Sequence, residues 1–169
     1  MSMRVLIGVL VGMLCIGVVS ADITITLNPA TVNVPIGEYN QSIINVTVDS
    51  SGNYTLYFQV GSSSKDIVSA NLSGPYTTYP DPWAITSTSF ADSGSVSWSA
   101  PSEGTYYFVL NITTDPNANV GQCYAIATVA IDNGRIAIDV VQGTVVPELI
   151  TPVLVGVGLA LLILWKRRS

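Results

Sequence analysis

Oxygen-bearing side chains recur at every second position in one segment, the spacing that can wrap a hard metal ion. Asp115, Asn117 and Asn119 alternate in this way, and carboxylate and amide oxygens are ligands that Ca²⁺ prefers. The later acidic ligand of such a loop is missing, because Gln122 and Cys123 follow. Asp and Asn are equally typical of turns, so we expect a polar turn between strands here and no bound metal.

A second segment combines aromatic rings with proline and aspartate. Tyr76, Tyr79 and Trp83 flank the stretch Pro80-Asp81-Pro82. Aromatic faces beside a carboxylate can stack on sugar rings, which makes this stretch a candidate ligand loop for carbohydrate. The alternative is a loop folded over the edge of the domain, with its aromatics closing the core. We favour that alternative because Trp83 also begins an alternating run.

The residue types needed for most hydrolytic chemistry are absent or badly placed. The chain has no histidine, which removes the usual general base and most zinc sites. Cys123 shares its strand face with Ala125, Ala127, Val129 and Ile131, so we expect a buried, inert thiol on the core face. A paired-carboxylate glycosidase needs only Asp and Glu, but the acids here mostly fall in turns. We expect no enzyme and no cofactor.

The N-terminus has the three parts of a secretory signal. A short positive start with Arg4 precedes an apolar run over residues 5–19, and Val19-Ser20-Ala21 supplies the small residues that a signal peptidase inspects. We expect a signal peptide over residues 1–21, cleaved between Ala21 and Asp22; an uncleaved anchor is the alternative. Removal of Cys15 would leave Cys123 without a partner, so we expect no internal disulfide.

The C-terminus is apolar and then basic. Residues 149–165 contain no charge, and Lys166, Arg167 and Arg168 follow directly, within a tip of residues 166–169. As a helix the 149–165 segment would reach about 25 Å, the lower limit for a bilayer core. Basic residues stay on the cytoplasmic side. We therefore expect a transmembrane helix with its C-terminus initially cytoplasmic and the preceding domain on the cell surface.

The C-terminus has the motif Val146-Pro147-Glu148-Leu149, followed by the apolar segment and the basic tip. This arrangement resembles the PEF-CTERM sorting signals of archaeal surface proteins. Leu149 stands where that family has phenylalanine. The resemblance implies cleavage near Pro147-Glu148 by an archaeosortase-type enzyme and transfer of the new C-terminus to a membrane lipid. An ordinary transmembrane helix is the alternative, and both arrangements tether the domain outside the membrane.

Between the two ends the chain is acidic. Residues 22–147 hold Lys65 and Arg135 against ten Asp and Glu. Two cations cannot neutralise a phosphate backbone, so we expect no nucleic-acid partner. The acids are spread along the segment, which favours a role in solubility and mutual repulsion.

Residues 22–143 show short alternating runs broken by Gly, Pro, Asn, Asp and Ser, and no helical period. Asn133-Gly134 is the strongest hairpin signal. We predict strands over residues 23–27, 31–34, 42–48, 54–60, 67–72, 83–89, 95–99, 105–113, 122–131 and 135–141, followed by a linker over residues 144–148. This spacing predicts an all-β, antiparallel sandwich.

Glu103-Gly104-Thr105-Tyr106 resembles the approach to strand F in immunoglobulin-like domains. The resemblance implies that the Tyr106 hydroxyl bonds back to the backbone of the corner. The predicted fold is therefore an immunoglobulin-like β-sandwich, with an N-terminal signal-peptide helix and one C-terminal transmembrane helix.

Five Asn-x-Ser/Thr sequons provide candidate glycosylation sites: Asn40, Asn45, Asn53, Asn71 and Asn111. Side chains in a strand repeat their face every second residue. In three predicted strands this parity puts Asn45, Asn53 and Asn111 opposite the apolar residues. A glycan cannot be buried, so we expect modification at some of these sites.

Together these features predict an exported, membrane-tethered surface protein whose domain is a structural or adhesion module. Its expected partners are the membrane and neighbouring surface proteins or envelope polysaccharide. The alternative function is a carbohydrate-binding module that uses Tyr76, Tyr79 and Trp83.

Overall fold

The computed structural model describes residues 23–81, 89–132 and 134–148. This part of the chain is a β-structure without a helix. Its strands are β1 (Ile23–Asn28), β2 (Val34–Pro35), β3 (Tyr39–Val48), β4 (Gly52–Val60), β5 (Val68–Tyr76), β6 (Ser93–Ala100), β7 (Gly104–Thr114), β8 (Cys123–Asp132) and β9 (Arg135–Val146).

The strands form two sheets packed as a sandwich. The four-stranded sheet has the order β1-β3-β7-β5, and the five-stranded sheet has the order β2-β9-β8-β4-β6. The strand pairs are antiparallel except β2 with β9, which run parallel. The predicted all-β sandwich is therefore confirmed.

The sheet orders follow an immunoglobulin-like plan with one difference. Strands β1, β3, β7 and β5 take the places of A, B, E and D, while β9, β8 and β4 take those of G, F and C. Strand β6 lies beside β4, where an immunoglobulin domain has C′. It follows β5 in the chain, whereas C′ precedes D.

The core lies between the sheets and is built from the inward faces that alternation predicts. Ile44, Val46 and Val48 of β3 are buried, as are the alternate residues of β4 and β7: Tyr54, Leu56, Phe58, Val60, Tyr106, Phe108, Leu110 and Ile112. The polar and the apolar face of each of these strands were assigned correctly from the sequence.

Trp98 of β6 joins the two halves of this core. Its ring stacks on Tyr54 at a centroid distance of 5.4 Å, and it meets Phe108 edge-on at 4.8 Å and Tyr106 at 6.2 Å. Tyr54 belongs to the same sheet as Trp98, but Tyr106 and Phe108 belong to the opposite sheet. One indole therefore holds aromatic side chains of both sheets.

Two tyrosines close sharp corners at the same end of the sandwich. The Tyr106 hydroxyl donates to the Ser102 carbonyl at 3.1 Å, as the resemblance implied, and the Tyr54 hydroxyl donates to the Ser50 carbonyl at 2.8 Å. Both corners have the sequence Ser-x-Gly-x-Tyr. Tyr106, however, opens β7, which holds the place of strand E, so the assignment to strand F was wrong.

Most predicted strands are present, but several boundaries need correction. Strand β3 begins at Tyr39 and not at Ser42, and β5 ends at Tyr76 and not at Leu72. The structure does not end the domain at Gly143, because β9 continues through Val146. Residues 144–146 are thus paired strand, not linker. The predicted strand over residues 31–34 is reduced to the short β2 and a single bridge from Thr31 to Gln142.

Several predictions fall outside the described residues. These are the signal peptide with its Ala21-Asp22 cleavage site, the apolar segment of residues 149–165 and the predicted strand over residues 83–89, apart from Ser89. Within residues 23–81, 89–132 and 134–148, no helix has the length and apolar character needed to cross a bilayer.

We predict that Tyr54→Phe and Tyr106→Phe each lower the free energy of unfolding by about 1 kcal/mol, because each removes a partly buried hydrogen bond. Urea denaturation followed by tryptophan fluorescence measures the change. Tyr57→Phe is the matched control, since this β4 side chain is 43% exposed. An equal loss in Tyr57→Phe would contradict the role assigned to the corners.

Candidate functional site

The aromatic segment lies against the outward face of the four-stranded sheet. The Tyr79 ring is 50% exposed and meets Tyr107 edge-to-face at a centroid distance of 5.5 Å. The Asn28 side-chain amide donates to the Tyr79 hydroxyl at 3.4 Å. Tyr76 is the register partner of Tyr107 on the neighbouring strand. The structure thus brings Tyr76 and Tyr79 together around Tyr107, which sequence reasoning missed.

This cluster, Tyr76, Tyr79, Tyr107 and Asn28, combines an exposed ring with an amide. Such a pair suits an apolar sugar face with a hydroxyl at its edge. Trp83, the third aromatic of the predicted ligand loop, lies outside the described residues. In the sequence, Tyr107 could be identified only as an outward-facing residue, because its neighbour Tyr106 alternates with the core residues of the same strand.

A shallow groove of about 380 Å³ lies on the outward face of β4 and β6. It is lined by Asn53, Tyr54, Thr55, Ser97, Trp98 and Ser99. Its polar groups bond to one another: Ser99 Oγ donates to Asn53 Oδ1 at 2.5 Å, and the Thr55 and Ser97 hydroxyls are 2.9 Å apart. The groove carries no charged side chain, so it has little means to hold an ionic ligand.

The five sequons differ in accessibility. Asn40 and Asn53 are exposed, while Asn45 and Asn71 are half-buried. The Asn71 side-chain nitrogen, where a glycan would attach, donates to the Ser89 carbonyl at 2.6 Å.

Asn111 corrects the expectation drawn from parity. It points away from the core as predicted, yet it is only 1% exposed, and its Oδ1 accepts a 2.6 Å hydrogen bond from Gln41. Alternation identifies the outward face of a strand but not what covers that face. A glycan on Asn111 does not fit the folded domain.

The Asp115 segment folds as a polar turn. One oxygen of the Asp115 carboxylate accepts from the Asn117 backbone N–H at 2.7 Å and from the Asn117 side chain at 3.1 Å. The Asn119 backbone N–H instead donates to Gln122 Oε1 at 2.6 Å. The side chains of Asp115 and Asn117 are thus engaged within the turn, and no cluster of three His, Cys, Asp or Glu occurs in the described residues.

The predicted burial of Cys123 is wrong. Cys123 is exposed, and the core face of β8 is formed instead by Tyr124, Ile126, Thr128 and Ala130. Both faces of β8 are rich in apolar residues, so alternation could not tell which one faces inward. The outward face, with Ala125, Ala127, Val129 and Ile131, is partly exposed.

The described part of the sorting motif is accessible. Strand β9 ends at Val146, and Pro147 and Glu148 follow as exposed residues, while Leu149 lies outside the described part. The chain therefore leaves the sandwich from a paired strand only two residues before the apolar segment begins.

No protein-family model and no curated protein sequence matches the chain. Among solved structures, a chain of the CaDoc0917–CaCohA2 complex is similar over 73% of this chain and 99% of its own, with a TM-score of 0.49 and 16% identity. A family 123 glycoside hydrolase from Clostridium perfringens is similar over 75% of this chain and 27% of its own, with a TM-score of 0.45 and 11% identity.

BcpA, the major pilin subunit of Bacillus cereus, is similar over 74% of this chain and 40% of its own, with a TM-score of 0.42 and 6% identity. All three structures have TM-scores below 0.5 and identities of at most 16%, so their functions are not transferred to this chain.

We predict that glycans, where present, occupy Asn53 and not Asn111, because the Asn53 side chain is exposed and that of Asn111 is enclosed. Peptide mapping of the native protein by mass spectrometry, before and after deglycosylation, measures the occupancy of each site. Asn40, also exposed, is the reference for an accessible sequon. A modified Asn111 with an unmodified Asn53 would contradict the structure.

Proposed function

We propose that this protein is an exported, membrane-tethered surface protein, and that its sandwich serves as a structural or adhesion module without enzymatic activity. The observation that carries the proposal is the path of β9. This strand is paired with β8 along ten residues and continues to Val146, just before Pro147-Glu148 and the apolar segment. A domain joined to the apolar segment in this way stands end-on from the membrane.

The surface of the domain supports a binding role over a catalytic one. The groove beside β6 is shallow, and its polar groups bond to one another. Catalysis needs perturbed or convergent reactive groups in a cleft that excludes water. Among the described residues, burial raises the pKa of the Tyr124 phenol, a group of the core. Its hydroxyl donates to the Val32 carbonyl, a structural contact.

The mature C-terminus tests how the domain is tethered. We expect the protein purified from its native membranes either to end near Glu148 with a lipid attached, or to end at Ser169 as a plain helix. Intact-mass measurement separates these two forms, and protease protection of intact cells establishes that the domain lies outside. A chain that starts at Met1 and partitions into the soluble fraction would overturn the tethered assignment.

A carbohydrate-binding module is the second candidate, favoured by the half-exposed Tyr79 beside Tyr107 and Asn28. We predict that Tyr79→Ala abolishes retention on envelope polysaccharide, because it removes the ring that a sugar would stack on. Pull-down of the purified protein by insoluble polysaccharide measures retention. Tyr39→Ala is the matched control, since Tyr39 is 46% exposed elsewhere on the domain. Equal retention by both variants would exclude this site.

A further inference from the structure

The first half of β9 is an open sheet edge. In the second half, Gln142 is bonded on its free side: its N–H donates to Ala30 at 3.0 Å, and its carbonyl accepts from Val32 at 2.8 Å. The Val146 carbonyl likewise accepts from Ile36 at 3.2 Å. Backbone groups of a strand alternate in direction, so those of Ile136 and Ile138 point to the same side as Gln142. No strand of the described chain pairs with them there.

This edge lacks the usual protection on its outward face. Edge strands commonly carry outward charges or proline that prevent pairing with another chain. Here the outward side chains are Ile136, 55% exposed, and Ile138, 45% exposed. They continue across the sheet into partly exposed apolar residues, because Ile138 pairs with Val129 and Ile136 with Ile131. The edge therefore offers both free backbone groups and an apolar surface.

Two copies of the edge sequence have complementary side chains when the strands run antiparallel. It reads Arg135-Ile136-Ala137-Ile138-Asp139. When two such strands run antiparallel about Ala137, each Ile136 lies opposite Ile138 of the other copy. Each Arg135, which pairs with Asp132 and Asp49 of its own copy, then lies opposite Asp139 of the other. No like charges are therefore opposed at either end, and the small Ala137 lies at the axis. Cross-strand pairs of these types stabilise a sheet, whereas opposed like charges would destabilise it.

We propose that two copies of this chain pair through this edge, antiparallel across a two-fold axis at Ala137, so that their five-stranded sheets become continuous. Ile136 and Ile138 of each copy exchange backbone hydrogen bonds, four in total. The pairing ends at Val140, whose N–H is already bonded to Asp139 Oδ1 at 2.8 Å. Such an interface is isologous, the commonest type in homodimers.

The direction of β9 decides how tethered copies could meet, and this step rests on the function proposed above. Val146 follows Ala137 by nine residues, about 30 Å of strand. In the antiparallel pair the two chains therefore leave at opposite ends, about 60 Å apart. This geometry joins copies that stand on facing membranes. The contact is short and hence weak, so adhesion would depend on many copies acting together.

Disulfide trapping of the full-length chain in detergent tests the pairing without reference to a membrane. In a Cys15→Ser, Cys123→Ser background, an Ile136→Cys variant is mixed with an Ile138→Cys variant under mild oxidation. We expect a mixed disulfide dimer, since the paired Cα atoms would lie about 5.5 Å apart, within disulfide range. Thr26→Cys, exposed on β1 of the other sheet, replaces Ile136→Cys in the control and should give no dimer. Equal yields from both mixtures, or no dimer in either, would overturn the pairing.

Vesicles then test the facing arrangement. The two cysteine variants are reconstituted in separate vesicle populations, which are mixed before oxidation. We expect mixed dimers and vesicle clustering. Dimers that form in detergent but never between vesicles would overturn the facing arrangement and leave the pairing intact. If the chain does not insert at all, the proposed tether fails, and the detergent result still decides the pairing.

Discussion

The two sheets are connected by the packing of the Trp98 indole between two tyrosines, each of which is hydrogen-bonded to the backbone of a sharp corner. Trp98 stacks on Tyr54 within its own sheet and contacts Tyr106 and Phe108 of the other. Both tyrosines are held by hydroxyl bonds to carbonyls four residues earlier. Antibody domains place a disulfide beside a buried tryptophan for the same purpose. Here the ring contacts of Trp98 and the two tyrosine hydrogen bonds connect the sheets at this end of the sandwich.

Much of this fold could be read from alternation, because most strands have one apolar and one polar face. Strands β3, β4 and β7 are of this kind, and their inward residues were assigned correctly. Strand β8 is apolar on both faces, so periodicity gave no direction and Cys123 was placed on the wrong side. The second tyrosine corner repeats the Ser-x-Gly-x-Tyr pattern of the first and could have been found by comparing the two segments. The position of β6 beside β4 is a property of the chain path, which local pattern does not encode.

The candidate surfaces were harder to predict because they depend on what lies over a face. Parity put Asn111 outward, yet the folded domain encloses it. Tyr79 was singled out, but its neighbour Tyr107 comes from a strand that is distant in sequence. Charge has a simpler distribution: among the described strands, only Asp132, Arg135 and Asp139 are charged. The other described acids lie outside the strands, which leaves the sheet faces largely neutral and free to approach other neutral surfaces despite the net charge of −5.

The length of β9 has a mechanical consequence. If the domain is held at residues 135–139 and anchored beyond Val146, a pulling force enters and leaves along this single strand. That force acts parallel to β9, is carried by the backbone of β9 and loads the hydrogen bonds between the two copies in shear. Under shear those hydrogen bonds resist together, whereas peeling would open them one at a time, and the ladder of ten residue pairs with β8 keeps β9 in the domain without carrying the load. The rest of the sandwich would lie outside the loaded path, so the contact could bear tension without the core being opened.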